Sequence, residues 1–254
     1  MKTFKSQIAA LALALGSTLT VGSSYAADTN PSVVIVHGAF ADGSDWAKVV
    51  PLLQAEGVAV TVVQNPLTSL ADDVAATQRA LNNQDGKVVL VGHSWGGTVI
   101  TEAGNDNKVS ALVYVAAFAP NAGQTSGEQG KGAPTPPGIS QLKTDSNGFI
   151  YLTPEGMASD FAQDLPAAQT AVMTATQGPI KASAFEDKVT AAAWKTKPSW
   201  YLLATQDRMI HPDVQRSSAK RIGANLSEVN TSHVPQQSQP AEVAKVILAA
   251  VHEA

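Results

Sequence analysis

The sequence contains no cysteine among its 254 residues. Disulfides are therefore excluded, and so are a thiol nucleophile and any metal site built on cysteine. The five histidines are dispersed along the chain, and no acidic loop has the spacing of calcium ligands. These absences predict a chain without a bound metal, held together by its apolar core.

Charged residues are also scarce, at 15% of the chain, and the formal net charge is −4. No basic patch stands out, so a nucleic-acid partner is not expected. Hydrophobic residues make up 44% of the sequence, which is enough apolar material for a sizeable core. The length fits one large domain or two small ones.

The first 26 residues have the pattern of a secretory signal peptide. Lys2 and Lys5 precede an unbroken apolar run over residues 8–15, and Ser24 and Ala26 put small residues where a signal peptidase reads them. The run is too short for a membrane anchor, which needs roughly 20 apolar residues. We therefore expect cleavage after Ala26, no stable membrane insertion, and export to the periplasm or the medium.

After this segment, short apolar runs typical of strands alternate with helix-like segments. The predicted strands cover residues 33–36, 58–63, 87–91, 109–115, 200–204 and 226–229, and the predicted helices cover residues 45–56, 69–82, 94–103, 212–221 and 241–251. Continuous apolar strands separated by helices indicate an α/β fold with a mostly parallel central sheet and helices on both faces.

One long segment interrupts this alternation. Residues 119–198 are rich in proline and contain helical stretches at residues 154–163 and 167–176. A segment of this length between two strands is more often functional than a bare loop. We therefore predict a core formed by residues 27–118 and 199–254, with residues 119–198 inserted as a lid whose most mobile part is residues 123–138.

The motif Gly92-His93-Ser94-Trp95-Gly96 lies between a predicted strand and a predicted helix. This is the context of a nucleophile elbow, in which a serine occupies the apex of a tight, strained turn. Side chains two residues before and after the serine would collide across that turn, and Gly92 and Gly96 remove the collision. An ordinary glycine-rich turn with a capping serine is the alternative. The context favours Ser94 as a nucleophile.

A serine hydroxyl needs a base within hydrogen-bond reach, and the base needs an acid that orients it. His233 follows the last predicted strand, where the base of such a fold belongs, whereas His211 lies earlier, in a loop or capping position. Asp207 follows the predicted strand at residues 200–204 and is expected at the same sheet edge as Ser94. Asp213 is the second choice, because an acid in the first turn of a helix often only supports the helix dipole.

Two backbone amides are expected to bind the negatively charged oxygen of the reaction intermediate. One is the amide of Trp95, directly after the serine, and the other is that of Ala39, in the loop after the first strand. Gly38 permits the close backbone approach. His37 is expected to bond this loop rather than to transfer protons.

Four stretches of the chain resemble the α/β-hydrolase superfamily, in particular bacterial serine hydrolases related to plant methylesterases and hydroxynitrile lyases. They are residues 33–46 (VVIVHGAFADGSDW), 89–97 (VLVGHSWGG), 113–120 (VYVAAFAP) and 232–243 (SHVPQQSQPAEV). The resemblance implies an ester hydrolase that needs no cofactor, with Ser94, Asp207 and His233 as a catalytic triad. It also implies a lid after Pro120 and a reduced or absent antiparallel hairpin at the start of the sheet.

Three positions separate the chain from other branches of that superfamily. The lyases carry a lysine directly after the catalytic histidine, where this chain has Val234, and a bulkier residue in place of Gly38. Dehalogenases and many epoxide hydrolases of this fold use an aspartate as the nucleophile, where this chain has Ser94. These differences favour an esterase.

The sequence therefore predicts cleavage of carboxylic esters through an acyl-enzyme. Perhydrolysis or the cleavage of C–C bonds by the same triad remains open, and so does a receptor that only binds a ligand in the triad pocket. Phe40 and Phe118 are candidates for lining that pocket, although aromatic residues are as often plain core. The expected partner is a small-molecule ester, and the expected assembly is a monomer or a homodimer.

Overall fold

The computed structural model describes residues 31–253. The predicted signal peptide, residues 1–26, lies outside the described residues, so its cleavage and the export of the chain stay predictions. Within the described range, no helix is both long and apolar enough to cross a membrane.

The described residues form nine strands and eight α-helices. The strands are β1 (Ser32–Val36), β2 (Val60–Val63), β3 (Val88–His93), β4 (Val109–Val115), β5 (Leu142–Thr144), β6 (Phe149–Leu152), β7 (Ile180–Lys181), β8 (Ser199–Ala204) and β9 (Asn225–Val229). The helices are α1 (Val50–Ala55), α2 (Leu70–Asn82), α3 (Trp95–Ala103), α4 (Pro154–Gly156), α5 (Ala167–Thr176), α6 (Pro212–Arg221), α7 (Pro235–Ser238) and α8 (Pro240–Glu253).

Six of the strands form the central sheet, in the order β2-β1-β3-β4-β8-β9. Every pairing in this sheet is parallel, so the predicted α/β fold with a mostly parallel central sheet is confirmed. The chain runs from β1 outward to β2 and then returns to place β3 on the other side of β1. Open α/β sheets bind their ligands at such a reversal, beyond the carboxyl ends of the two strands.

Both faces of the sheet are buried, because alternate residues of a strand point to opposite sides. Val34 and Val36 pack on one face with residues of α2, α3 and α6. Val33 and Ile35 pack on the other face with residues of α1 and α8. The β-branched run of β1 is thus explained by burial on both sides, as in other parallel sheets.

Local signals explain where two helices begin. The hydroxyl of Ser69 accepts a hydrogen bond from the amide of Asp72, which caps α2 as its sequence predicts. The helix predicted over residues 45–56 is wrong in its first half, where Gly43–Trp46 is a 3-10 turn and α1 begins only at Val50. Pro51 has no amide hydrogen, so it fits the first turn of a helix and not its interior.

The segment between β4 and β8 contains a second, antiparallel sheet, in the order β5-β6-β7. Helix α5 has the predicted bounds, whereas the predicted helix at 154–163 is the short α4 followed by a π-helical turn at Met157–Phe161. The sheet escaped prediction because its strands have only two to four residues. The proposed boundaries of the lid, residues 119–198, stay a prediction.

Tyr201 of β8 forms hydrogen bonds with the backbone just after the end of β4. Its hydroxyl donates to the carbonyl oxygen of Ala117 at 2.5 Å and accepts from the amide of the same residue at 3.1 Å. Both residues are fully buried, so water cannot replace these bonds. The neighbouring Ala116 has a positive φ of 43°, and the tyrosine holds this unfavourable turn in place.

The variant Tyr201→Phe should therefore lower the free energy of unfolding, because it leaves two buried backbone groups without a partner. We expect a loss of about 1–3 kcal/mol in urea denaturation. The matched control is Tyr151→Phe, since Tyr151 is 39% exposed and should lose no more than about 0.5 kcal/mol. Equal stabilities of the two variants would contradict the role given to the Tyr201 hydroxyl.

Asp45, in the 3-10 turn after β1, is a buried acid with few partners. Its side chain is reached by the amide of Gln237 at 3.4 Å, and its Oδ2 atom has no hydrogen-bond partner among the described residues. Burial raises the pKa of Asp45 from 3.8 to about 7, and the charge of nearby Asp42 adds to the rise. The folded protein therefore binds this proton more tightly than the unfolded chain does.

This difference makes stability depend on pH. The contribution of Asp45 is fully present below pH 3.8 and is lost as pH rises towards 7. The variant Asp45→Asn should remove that loss and be more stable than the parent at pH 8, by on the order of 4 kcal/mol. Thermal melts between pH 4 and pH 8 measure it, with the exposed Asp85→Asn as control. A parent whose stability does not fall relative to Asp45→Asn over this range would refute the assignment.

Candidate active site

Ser94 lies in a tight turn between β3 and α3. Its backbone has φ 52° and ψ −119°, a combination that is strained for a residue with a side chain. A Cβ atom at Gly92 would lie 2.5 Å from the carbonyl oxygen of Gly96, and one at Gly96 would lie 2.3 Å from that of Val36. Both glycines are therefore required by backbone packing, and the turn lifts Ser94 to the carboxyl edge of the sheet.

His233 and Asp207 form a buried pair at the same edge. The distance from His233 Nδ1 to Asp207 Oδ2 is 2.6 Å, and the two residues are 1% and 5% exposed. The other carboxylate oxygen, Oδ1, accepts from the amides of Met209 at 2.7 Å and Ile210 at 2.9 Å. Four donors thus hold the carboxylate, because the side-chain amide of Gln215 also donates to Oδ2, at 2.7 Å.

The alternative acid and base take no part in this arrangement. Asp213 has a side chain that is 72% exposed and pairs with Arg216 at 3.1 Å. His211 caps the start of α6 by accepting a hydrogen bond from the amide of Asp213. The structure therefore brings His233 together with Asp207, the acid that the sequence favoured.

The serine and the histidine are linked through the residue that precedes Ser94. His93 Nε2 donates to the carbonyl oxygen of His233 at 2.8 Å, and the two imidazole rings are 4.8 Å apart. Burial lowers the pKa of His93 well below its usual value, which fits a neutral, structural imidazole. Ser94 Oγ and His233 Nε2 form no hydrogen bond with each other in the described residues. In enzymes without substrate, the distance between a nucleophile and its base is often long and shortens when substrate binds.

Two amides close to Ser94, those predicted to form an oxyanion hole, have no backbone acceptor among the described residues. The amides of Ala39 and Trp95 are buried and, within residues 31–253, have no backbone partner, whereas that of Phe40 donates to Gly178 at 3.0 Å. A Cβ atom at Gly38 would lie 2.8 Å from the Cβ of Ser94, so only glycine lets this loop approach the serine. A buried amide without a partner is costly unless an oxygen atom binds there.

His37 holds that loop, as predicted from the sequence. Its Nε2 atom accepts from the amide of Asn65 at 2.9 Å, and its carbonyl oxygen accepts from the side chain of the same residue at 2.9 Å. The proton is therefore assigned to Nδ1, which lies 2.8 Å from the carbonyl oxygen of Gly38. Burial lowers the pKa of His37, so the ring stays neutral and structural.

Two buried polar residues of the site were not predicted from the sequence. Asp73 accepts from the indole of Trp95 at 2.7 Å and from the amide of Leu67 at 2.8 Å, and burial raises its pKa to about 6. Gln215 binds Asp207, as described above. Asp73 lies on the same face of α2 as Leu70 and Thr77, so a polar residue at an apolar position was the available signal.

A cavity of about 410 Å³ lies between the core and the segment that follows β4. Phe118 lines it, and the amide of Phe118 donates to the carbonyl oxygen of Ser94 at 3.2 Å. The wall is mostly apolar, and includes Leu142, Ile150, Phe185, Met209, Ile210 and Val214. Phe40 is not among its lining residues. It packs edge-on against Phe161, which in turn packs edge-on against the ring of His233.

No group of three or more metal-binding side chains occurs in the described part of the chain. Around Ser94 the structure places a strained turn, a buried imidazole–carboxylate pair and two amides without a backbone partner among the described residues. The apolar cavity lies next to these groups, and none of Ser94, Asp207 and His233 is among its lining residues. This set of groups can transfer an acyl group to a hydroxyl and bind the oxyanion that forms.

Known proteins with similar sequences and structures include a methylesterase and pyrethroid hydrolases. Methylesterase 2 of Arabidopsis thaliana is 27% identical over 85% of this chain and 94% of its own length. The pyrethroid hydrolase of Sphingobium wenxiniae is 26% identical over 86% of this chain and 87% of its own. The crystal structure of a pyrethroid hydrolase from Sphingobium faniae has the same fold, with a TM-score of 0.74, 21% identity and coverage of 87% and 97%.

The model of the alpha/beta hydrolase family matches residues 33–246, which is most of the chain. The match spans every strand of the central sheet except the first residue of β1, together with Ser94, Asp207 and His233. The chain therefore belongs to the alpha/beta hydrolase family.

Proposed function

We propose that this chain hydrolyses carboxylic esters through an acyl-enzyme on Ser94. The observation that carries the proposal is the buried 2.6 Å contact between His233 and Asp207, at the sheet edge where Ser94 heads α3. A histidine held by a carboxylate is the base that activates a serine hydroxyl. Relatives named methylesterase and pyrethroid hydrolase support the same class of reaction.

The reaction uses one histidine as base and acid in turn. His233 Nε2 takes the hydroxyl proton as Ser94 Oγ attacks the carbonyl carbon of the ester. The resulting imidazolium donates its proton to the alkoxy oxygen, the C–O bond breaks, and the alcohol leaves. Water then gives a proton to His233 and attacks the acyl-enzyme, and Ser94 recovers its proton as the carboxylic acid departs.

The remaining groups act on charge that develops during these steps. Asp207 keeps the proton of His233 on Nδ1 and stabilises the imidazolium, without taking the proton itself. The amides of Ala39 and Trp95 donate to the oxyanion of each tetrahedral intermediate, helped by the positive end of the α3 dipole. Because both amides are already fixed by buried loops, little reorganisation is needed when charge appears.

The variant Ser94→Ala tests this chemistry, because it removes the nucleophile and keeps the backbone turn. We expect kcat on a p-nitrophenyl ester to fall by at least about 10³-fold with an unchanged melting temperature. The exposed Ser227→Ala on β9 is the matched control and should keep the parental rate. If Ser94→Ala turned over the ester at the rate of Ser227→Ala, Ser94 would not be the nucleophile.

The cavity beside Phe118 supports an ester with a bulky apolar group. Its volume of about 410 Å³ falls within the usual range of ligand pockets, and its lining residues are mostly apolar. The cationic Lys131 that borders it has a side chain 78% exposed and an ion pair with Glu128, so it leaves no buried charge for an ionised substrate. An uncharged apolar group of the ester can therefore gain binding free energy by moving from water into this cavity.

Filling this cavity should change which esters are cleaved. Ile150 lines it, so Ile150→Trp should lower kcat/KM for p-nitrophenyl octanoate relative to p-nitrophenyl acetate by about tenfold or more. Tyr151→Trp is the matched control, because Tyr151 neighbours Ile150 on β6 and faces solvent. An unchanged ratio of the two esters in Ile150→Trp would show that the cavity does not receive the substrate.

A further inference from the structure

Gln215 is a fully buried residue of α6 whose side-chain hydrogen bonds reach the end of β8 and the loop around Asp207. Its amide nitrogen donates to Asp207 Oδ2 at 2.7 Å and to the carbonyl oxygen of Ile210 at 2.9 Å. Its amide oxygen accepts from the backbone of Ala204, at the end of β8, at 3.2 Å. The side chain thus spans the loop that begins at β8 and ends at α6.

The two oxygens of Asp207 are held in different ways. Two backbone amides, of Met209 and Ile210, fix Oδ1. The oxygen that faces His233 is Oδ2, and Gln215 supplies the only other donor to it among the described residues. Without that donor the carboxylate could pivot about Oδ1, and a buried lone pair would lose its partner.

We propose that Gln215 is a positioning residue, which fixes the Asp207 carboxylate and through it the ring of His233. The proposal rests on the function proposed above, because it assigns His233 as the base. The link is direct: the amide of Gln215 and the Nδ1–H of His233 bind the same oxygen atom, at 2.7 and 2.6 Å. Small displacements of a catalytic base are costly, since a shift of about 1 Å can reduce the rate about 100-fold.

Gln215 also joins α6 to β8, so a purely structural role must be distinguished from positioning. A structural bond affects the free energy of unfolding, whereas a positioning bond affects the chemical step. Substrate binding in the apolar cavity does not involve Gln215, which is absent from the cavity lining. A positioning role therefore lowers kcat and leaves KM near its parental value.

The first test compares Gln215→Met with Ser218→Ala. Methionine preserves the length of the side chain and removes the amide, and Ser218 is a buried residue one turn further along the same helix. We expect Gln215→Met to lose about 10- to 100-fold in kcat at unchanged KM, while Ser218→Ala keeps the parental kcat. Parental kcat in Gln215→Met, with only a lower melting temperature, would overturn the proposal.

A second variant tests the donor to Asp207 separately. Gln215→Glu keeps an oxygen for the amide of Ala204, and a buried acid beside the Asp207 carboxylate keeps its proton at pH 6 and can donate it in a hydrogen bond to Oδ2. We expect Gln215→Glu to retain more of the parental kcat at pH 6 than Gln215→Met does, and to lose this advantage as pH rises. Equal kcat values for the two folded variants at pH 6 would overturn the proposal.

A proton NMR measurement on the parent protein is independent of turnover. The His233 Hδ1 proton, in a short hydrogen bond to Asp207, should resonate far downfield and show a nuclear Overhauser effect to a side-chain amide proton of Gln215. A downfield proton without this effect would contradict the shared oxygen. If the proposed function were wrong, for example because Ser94→Ala kept full activity, this NMR result would not change. Failure of the proposed function and failure of the positioning role of Gln215 are therefore distinguishable.

Discussion

The contact between His233 and Asp207 is the interaction on which the site depends. It joins two loops that are 26 residues apart in sequence, and it lies where water cannot compete for either partner. A carboxylate in such surroundings is costly unless its oxygens are bonded. Asp207 meets this requirement with two backbone amides, the imidazole and Gln215. The cost of burying the Asp207 carboxylate is thus offset by the same contacts that orient the His233 ring, the proposed base.

The position of Ser94 depends on a second constraint, the close packing of backbones at the carboxyl ends of β1 and β3, where the strand order reverses. The turn after β3 lies against the end of β1, so that a Cβ atom at Gly96 would collide with the carbonyl oxygen of Val36. Gly97 meets the carbonyl oxygen of Phe118 in the same way, on the side of β4. Glycine at these positions lets the loops after three adjacent strands of the sheet, β1, β3 and β4, come together at one point. The strained φ of Ser94 is stabilised by this packing.

The segment between β4 and β8 also contacts the residues around Asp207 and His233. Asp160 in its π-helical turn pairs with Arg208 at 2.6 Å, and Asp164 accepts from the amide of Ser232 at 2.9 Å. These contacts fall on the residues directly beside Asp207 and His233. Phe161 adds an edge-on contact with the imidazole. The segment between β4 and β8 therefore supplies part of the wall of the proposed substrate cavity and also contacts the residues beside Asp207 and His233.

The sequence predicted much of this structure, because its signals are local. Strand and helix periodicity predicted the sheet, and the glycines around Ser94 predicted the turn. The position of Asp207 directly after a strand favoured it over Asp213, which lies in the first turn of a helix. The roles of Asp73 and Gln215 escaped prediction, because the role of a buried polar residue depends on a partner that is distant in sequence. Gln215 reads as an ordinary residue of an amphipathic helix until β8 and the Asp207 loop are placed beside it. The small sheet of β5, β6 and β7 was missed for a similar reason, since short strands are defined by their pairing.

The central claim is that Ser94 carries an acyl group during turnover. Its most direct test is mass spectrometry of the intact protein, quenched in acid within the first turnovers of a p-nitrophenyl ester and then digested. The account predicts a mass increase equal to one acyl group, located on the peptide that contains Ser94 and absent when the p-nitrophenol product is added instead of the ester. An acyl group found on another residue while the ester is being hydrolysed would contradict it.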